Sequence, residues 1–126
     1  MQQLVALEIV HRDLAARNVL VFEWHHQRHL DVKVKVSDFG LSKQLNDNYY
    51  YGGGTVVPIR WMSPEALKKR KFGEKSDVWA FGVLLWEMFT LGAVPYFLET
   101  NDKAMITAVL DGERLERSVH LFIEQQ

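Results

Sequence analysis

"VHRDLAARN", residues 10–18, sets a His, two Arg, an Asp and an Asn between apolar runs. So much fixed polar chemistry on a short loop suits a charged ligand. The stretch before it, LVALEIV (4–10), reads as the tail of an apolar helix, and VLVF (19–22) after it as a short apolar strand. Residues 32–36, VKVKV, alternate cleanly and predict a second strand, which makes EWHHQRHLD (23–31) an unusually long hairpin connection. The second strand ends at Ser37-Asp38-Phe39-Gly40. Asp13 therefore precedes the hairpin, Asp38 follows it, and Asn18 lies five positions beyond Asp13. Carboxylate and amide oxygens on short turns suit a hard cation such as Mg2+, which keeps waters and shares its coordination with phosphate oxygens. With Asn18 and Asp38 as ligands, Asp13 is left as a proton acceptor or orienting base.

Beyond Gly40 runs a long irregular stretch holding Tyr49-Tyr50-Tyr51, Gly52-Gly53-Gly54 and VVPIRW (56–61). A connection of that length without secondary structure is usually functional. Ser63-Pro64-Glu65 predicts the start of a short helix, with Ser at the N-cap, Pro at the first helical position and an acid in the first turn. Residues 76–91, SDVWAFGVLLWEMFTL, form the longest helix candidate, closed by Gly92. This helix is apolar nearly all round, which predicts enclosure by other elements. A last helix spans about Asn101 to Leu110 and stops at Asp111-Gly112. The fold class expected is mainly α with a single short β-hairpin that carries the polar loops.

The composition is that of one soluble globular domain: 126 residues, 48% hydrophobic and 25% charged. A net charge of -1 gives no reason to expect nucleic acid or an anionic membrane as partner. The absence of cysteine excludes disulfides and thiolate metal sites. MQQLVALEIVHRD has no basic segment followed by a long apolar core, so no signal peptide is expected. The longest apolar run, VWAFGVLLW (78–86), is too short to span a bilayer, so no membrane segment is expected either. An intracellular chain, or the intracellular part of something larger, is the expectation.

HRDLAARN with DFG, then SPE and SDVWAFG, resembles the C-terminal lobe of a protein kinase. The four motifs occur in the family's order, and the resemblance runs from about residue 9 to about residue 117. Ala15 stands where kinases acting on Ser/Thr typically carry Lys, and Arg17 stands where tyrosine kinases carry Arg. VPIRWMSPEAL also resembles the tyrosine-kinase substrate loop, so the resemblance implies transfer of the ATP γ-phosphoryl group to protein tyrosine.

On that resemblance, Asp13 accepts or orients the proton of the substrate hydroxyl, and Arg17 neutralises charge near the transferring group. Asn18 and Asp38 hold Mg2+. Phe39 packs under the metal site and Gly40 lets the loop move. Arg12 pairs with a phosphotyrosine of the loop carrying Tyr49, Tyr50 and Tyr51. Asp77 braces the HRD backbone. Glu65 keeps the acid of the APE-type motif, and Pro58, Arg60 and Trp61 shape the substrate platform. The implied cofactors are ATP and Mg2+, and the implied partner is a protein substrate bearing tyrosine.

Blander readings fit other features better. His11 reads as a packed structural residue. Gly52-Gly53-Gly54 lacks the GxGxxG spacing and reads as flexible backbone. His25, His26 and His29 read as a solvated insertion at the hairpin tip, not a metal site. KKRK (68–71) reads as a solvated face.

The sequence departs from the kinase pattern in several places. A kinase needs a Gly-rich loop over the ATP phosphates, a strand Lys and a helix Glu, and only Met1 to Val10 precede HRD here. The expectation is a partial kinase domain over residues 1–126, from the catalytic loop to about helix G, with the N-lobe missing. The spacing from Asp13 to Asp38, 25 positions, is longer than the family's usual one. SPE replaces APE, and VHLFIEQQ (119–126) does not continue the family pattern that GERLERS resembles. Such a piece is expected to be inactive alone, marginally stable and prone to aggregate through apolar residues such as Leu4, Val5 and Leu7. The alternative is a catalytically silent, kinase-like binding or regulatory module, although Asp13, Asn18 and Asp38 all being present argues against it. A cytoplasmic kinase and the cytoplasmic part of a membrane receptor are both compatible with the sequence.

Overall fold

A computed structural model describes residues 1–24, 32–53 and 56–116. The histidines at 25, 26 and 29 and the terminal VHLFIEQQ lie outside the described residues.

The chain opens with helix α1 (Gln2–Ala6). Glu8 then takes φ 53° and turns the backbone into strand β1 (Ile9–Val10). The expected apolar helix tail is thus shorter than LVALEIV, since its last residues are strand. A 3-10 turn (Ala16–Asn18) leads to β2 (Val19–Trp24), which pairs antiparallel with β3 (Val32–Val36). The register runs Val19↔Val36, Leu20↔Lys35, Val21↔Val34, and then a bulge shifts it to Glu23↔Lys33 and Trp24↔Val32. Because strand side chains alternate, the extra residue flips those after it to the other face. The bulge therefore places Trp24 on the same face as Val19, Val21, Val32, Val34 and Val36. The opposite face carries the Lys33–Glu23 ion pair at 2.7 Å and Lys35 over the Phe22 ring at 4.0 Å.

The hairpin is not the only β structure. Strand β4 (Lys43–Gln44) pairs antiparallel with β1. Strand β5 (Tyr50–Tyr51) pairs with β6 (Lys71–Phe72). The stretch expected to be irregular is thus pinned at two places by two-residue ladders, which are too short to leave a period in the sequence.

Helix α2 (Pro64–Lys69) starts at the Ser63 N-cap with Pro first, as its residues dictate. The Ser63 hydroxyl makes no cap bond and is buried without a partner among the described residues. Helix α3 (Glu74–Phe89) begins two residues earlier than Ser76. The Gly73 N–H donates to Ser76 Oγ at 2.8 Å, and that hydroxyl donates to the Gly73 carbonyl at 2.7 Å, closing the first turn. Helix α4 (Asp102–Leu110) is capped by Asn101, whose Oδ1 accepts from the Ala104 N–H at 2.9 Å. It ends before Gly112, which takes φ 105°.

Two clusters form the core. Val10, Leu45, Met62, Ala66 and Phe72 make the first, and Tyr96, Met105 and Val109 make the second. Ile59 and Leu67 touch both and join them. Helix α3 turns Asp77, Ala80, Val83, Leu84 and Glu87 inward. Its enclosure, expected from the sequence, is not complete: Val78, Phe81, Leu85, Met88 and Phe89 are exposed. Among the described residues, no helix is long and apolar enough to cross a membrane.

Candidate active site

The polar loop is held from below by α3. Asp77 Oδ2 accepts the His11 backbone N–H at 2.7 Å, and Oδ1 accepts that of Arg12 at 3.0 Å. Burial pushes the Asp77 carboxyl up from its ordinary 3.8, and the two backbone hydrogen bonds pull it part of the way back. Arg12 sits at φ 69°, in the left-handed region that costs a non-glycine residue energy. Two hydrogen bonds to consecutive N–H groups are what hold such a turn in place.

His11 is fully buried. Its Nδ1 lies 3.1 Å from the Asp13 N–H and accepts from it, which leaves Nε2 as the donor to the Ser37 carbonyl at 3.0 Å. The ring therefore joins the loop to the end of β3, with Phe39 edge-on at 4.9 Å. Such use of both nitrogens fits the packed, structural reading of His11.

With the backbone fixed, the Asp13 carboxylate pairs with Arg17. The Arg17 guanidinium also lies over the Trp61 ring at 4.6 Å. Trp61 Nε1 donates to Glu87 Oε2 at 2.9 Å, and the same oxygen accepts the Ala16 N–H at 2.8 Å. Glu87 is the residue that sequence reasoning missed. Its only signal is an acid closing the apolar run 78–86, inside what becomes a helix.

Asn18 is buried, and its Nδ2 donates to the Asp13 carbonyl at 2.7 Å. Its own carbonyl accepts from the Ser37 N–H at 2.7 Å and from Ser37 Oγ at 3.0 Å. With the amide nitrogen committed to Asp13, the side-chain oxygen of Asn18 is the atom that could ligate a cation. Asp38 is exposed at φ 56°, with Oδ1 accepting from the Gly40 N–H at 3.2 Å. Among the described residues, no group of three or more His, Cys, Asp or Glu could hold a metal ion. One amide oxygen and one carboxylate nonetheless fit Mg2+, which takes few protein ligands and fills its shell with water and phosphate.

Arg12 points toward the tyrosines. Its guanidinium lies 4.7 Å from the Tyr50 ring centre and 4.3 Å from that of Phe72, and Nη1 donates to the Leu41 carbonyl at 3.2 Å. Burial lowers its pKa, and nearby Tyr50 opposes that shift. Tyr50 is half-buried against the first core cluster, whereas Tyr49 and Tyr51 are exposed. Lys71 lies over the Tyr49 ring at 3.8 Å. Gly52 is not merely flexible backbone, because a Cβ there would meet Arg12 Nη2 and the Tyr50 ring, each at 2.9 Å.

Arg60 fastens the loop before α2 to the segment before α4. It donates to the carbonyls of Pro95 at 2.9 Å, Tyr96 at 2.8 Å and Glu99 at 2.9 Å. Pro58 precedes the 3-10 turn Ile59–Trp61 that presents Arg60 and Trp61, and Glu65 lies in the first turn of α2. The structure thus brings Asp13, Arg17 and Trp61 together, and brings Arg12 together with Tyr50 and Phe72. A cleft of about 410 Å³ lies elsewhere, lined by Leu4, Glu8, Leu45, Tyr49, Lys75 and Asp77 among others, and Asp13, Asn18 and Asp38 take no part in it.

Residues 1–124 match the family of protein tyrosine and serine/threonine kinases, and the chain belongs to that family. It is 46% identical over 119 residues to the high affinity nerve growth factor receptors of Gallus gallus and Rattus norvegicus, a match that covers 93% of this chain. It is 45% identical over the same share of its length to the NT-3 growth factor receptor of Sus scrofa. The chain spans about 14% of the length of these relatives.

Proposed function

We propose that this chain is the catalytic-loop portion, the C-terminal lobe, of a protein tyrosine kinase that transfers the γ-phosphoryl group of ATP to tyrosine of a protein substrate. The observation that carries the reading is the pairing of Asp13 with Arg17, on a loop whose backbone is fixed by Asp77 and beside the Trp61 ring.

Asp13 accepts or orients the proton of the substrate phenol. Arg17, whose guanidinium reaches the Asp13 carboxylate, offsets charge near the transferred group. The Asn18 side-chain oxygen and the Asp38 carboxylate hold Mg2+, which when bound neutralises charge on the phosphate oxygens. Pro58, Arg60 and Trp61 form the platform for the substrate. Arg12, with Lys71 and Lys43 nearby, reads phosphorylation in the Tyr49–Tyr51 segment. The parts that cradle the ATP phosphates, the N-lobe of the family, are contributed from outside residues 1–126. The relatives are named as growth factor receptors, which favours the cytoplasmic part of a membrane receptor over a free cytosolic kinase.

The test is a chimera in which residues 1–116 replace the matching residues of an active kinase relative. Transfer of labelled phosphate to a tyrosine peptide is expected, with little transfer to the serine analogue. Asp13→Ala should lower the rate by about 10²–10⁴-fold. A chimera that folds and binds ATP yet labels neither peptide would sink the reading.

A further inference from the structure

We propose that Ser63 and Arg12 together hold one buried water molecule, which accepts the Arg12 Nε proton, in a small cavity between the polar loop, α2 and α3. Ser63 is the residue by which SPE departs from APE. It is 1% exposed, yet its hydroxyl makes neither the N-cap bond nor any other among the described residues. Arg12 is 7% exposed, and its Nε–H likewise has no acceptor among them. Both side chains line the same cavity of about 10 Å³, together with Ser76 and Asp77.

A buried polar atom without a partner is costly, and here two of them share one cavity. The cavity has the space of about one water molecule, which is retained where it finds two to four polar partners. The donors and acceptors balance. Arg12 Nε–H can only donate, so the water accepts there, while a hydroxyl such as Ser63 Oγ can accept or donate. Ser76 and Asp77, on the α3 side, add further acceptor oxygens. An apolar occupant would leave Nε–H and Oγ unpaired, and a cation would be repelled by the guanidinium. Arg12 Nη1 is already bound to the Leu41 carbonyl, and the guanidinium lies beside the Tyr50 and Phe72 rings. Water on Nε fixes it at a second nitrogen. Ser at position 63, where Ala would offer no hydroxyl, thereby bears on how Arg12 presents its charge to the Tyr49–Tyr51 segment. That consequence rests on the kinase reading above, and the hydration site does not.

The test uses the 126-residue chain and reads no activity, so an inactive chimera counts against the kinase reading alone. In the isotope-labelled chain, the Arg12 Nε proton should show a dipolar NMR cross-peak to water, with the sign of a long-lived contact and not of chemical exchange. Ser63→Val removes the hydroxyl and puts a methyl group into the cavity, and should abolish that cross-peak. Should Ser63→Val fail to fold, a high-resolution crystal structure of the native chain decides the matter. One water within hydrogen-bond distance of both Arg12 Nε and Ser63 Oγ is expected there. A dry cavity, a Ser63 hydroxyl bonded to a protein atom instead, or a cross-peak that survives in Ser63→Val would overturn the proposal.

Discussion

Asp77 Oδ2 accepts the backbone N–H of His11 at 2.7 Å across 66 residues of chain, and the other oxygen takes the next N–H, that of Arg12. One buried carboxylate thus sets the turn from which Asp13 projects. Truncation by Asp77→Ala leaves two buried N–H groups without acceptors, and should cost about 2–5 kcal/mol, measured by denaturant unfolding. The carboxyl's raised pKa gives the pH dependence a sign. Ionised Asp77 is penalised in the folded chain above its folded pKa, and the penalty fades as pH falls through that value toward the ordinary one. Across that acid window, the native chain should gain stability relative to Asp77→Asn. A native chain that loses stability relative to the variant there would contradict the assignment.

The three carbonyls on Arg60 belong to a segment without regular structure around Pro95, Tyr96 and Glu99. A planar guanidinium can reach them at once, whereas an ammonium is a point charge on a flexible stem. Arg60→Ala should cost about 1–3 kcal/mol, and Arg60→Lys should recover less than half of it. Full rescue by Lys in a thermal melt would show that charge alone suffices.

Arg12 lies between two aromatic rings on the ladder of β5 and β6, and Gly52 sits against it. Arg12→Gln removes the stacking and should speed amide exchange at Gly52, whose N–H donates to the Arg70 carbonyl at 3.1 Å. Gly52→Ala should destabilise by about 1–3 kcal/mol, because its Cβ must displace an already stacked guanidinium or the Tyr50 ring. Unchanged exchange at Gly52 in Arg12→Gln would separate the stack from the ladder.

The exposed residues of α3, Val78, Phe81, Leu85, Met88 and Phe89, recur at helical spacing along one side. In the isolated chain this stripe should drive self-association. The double substitution Leu85→Lys with Phe89→Lys should shift sedimentation toward monomer without lowering the unfolding midpoint. A large fall in the midpoint would mean that these side chains are part of the core.

Strong local signals made much of this chain legible in advance. The alternation of VKVKV gave β3, the Ser-Pro-Glu triplet gave the start of α2, and Asn101 and Gly112 bracketed α4. The order of HRD, DFG, SPE and DVW pointed to kinases, because each motif needs its residue types at fixed spacing. Partnership across distance was not legible. The ladders pairing β1 with β4 and β5 with β6 have two residues per strand, so their pairing comes from the packing of Val10, Leu45 and Phe72 and not from a period. An apolar helix reads the same whether one face or all faces are covered, and the exposed side of α3 appeared only once its neighbours were placed. Glu87 shows the same limit: in sequence it is an acid among apolar residues, and only the fold brings Ala16 and Trp61 to one of its oxygens. Side-chain chemistry and spacing are local and are written in the sequence, whereas the partner of a buried charge is decided by which segments the tertiary structure brings within hydrogen-bond reach.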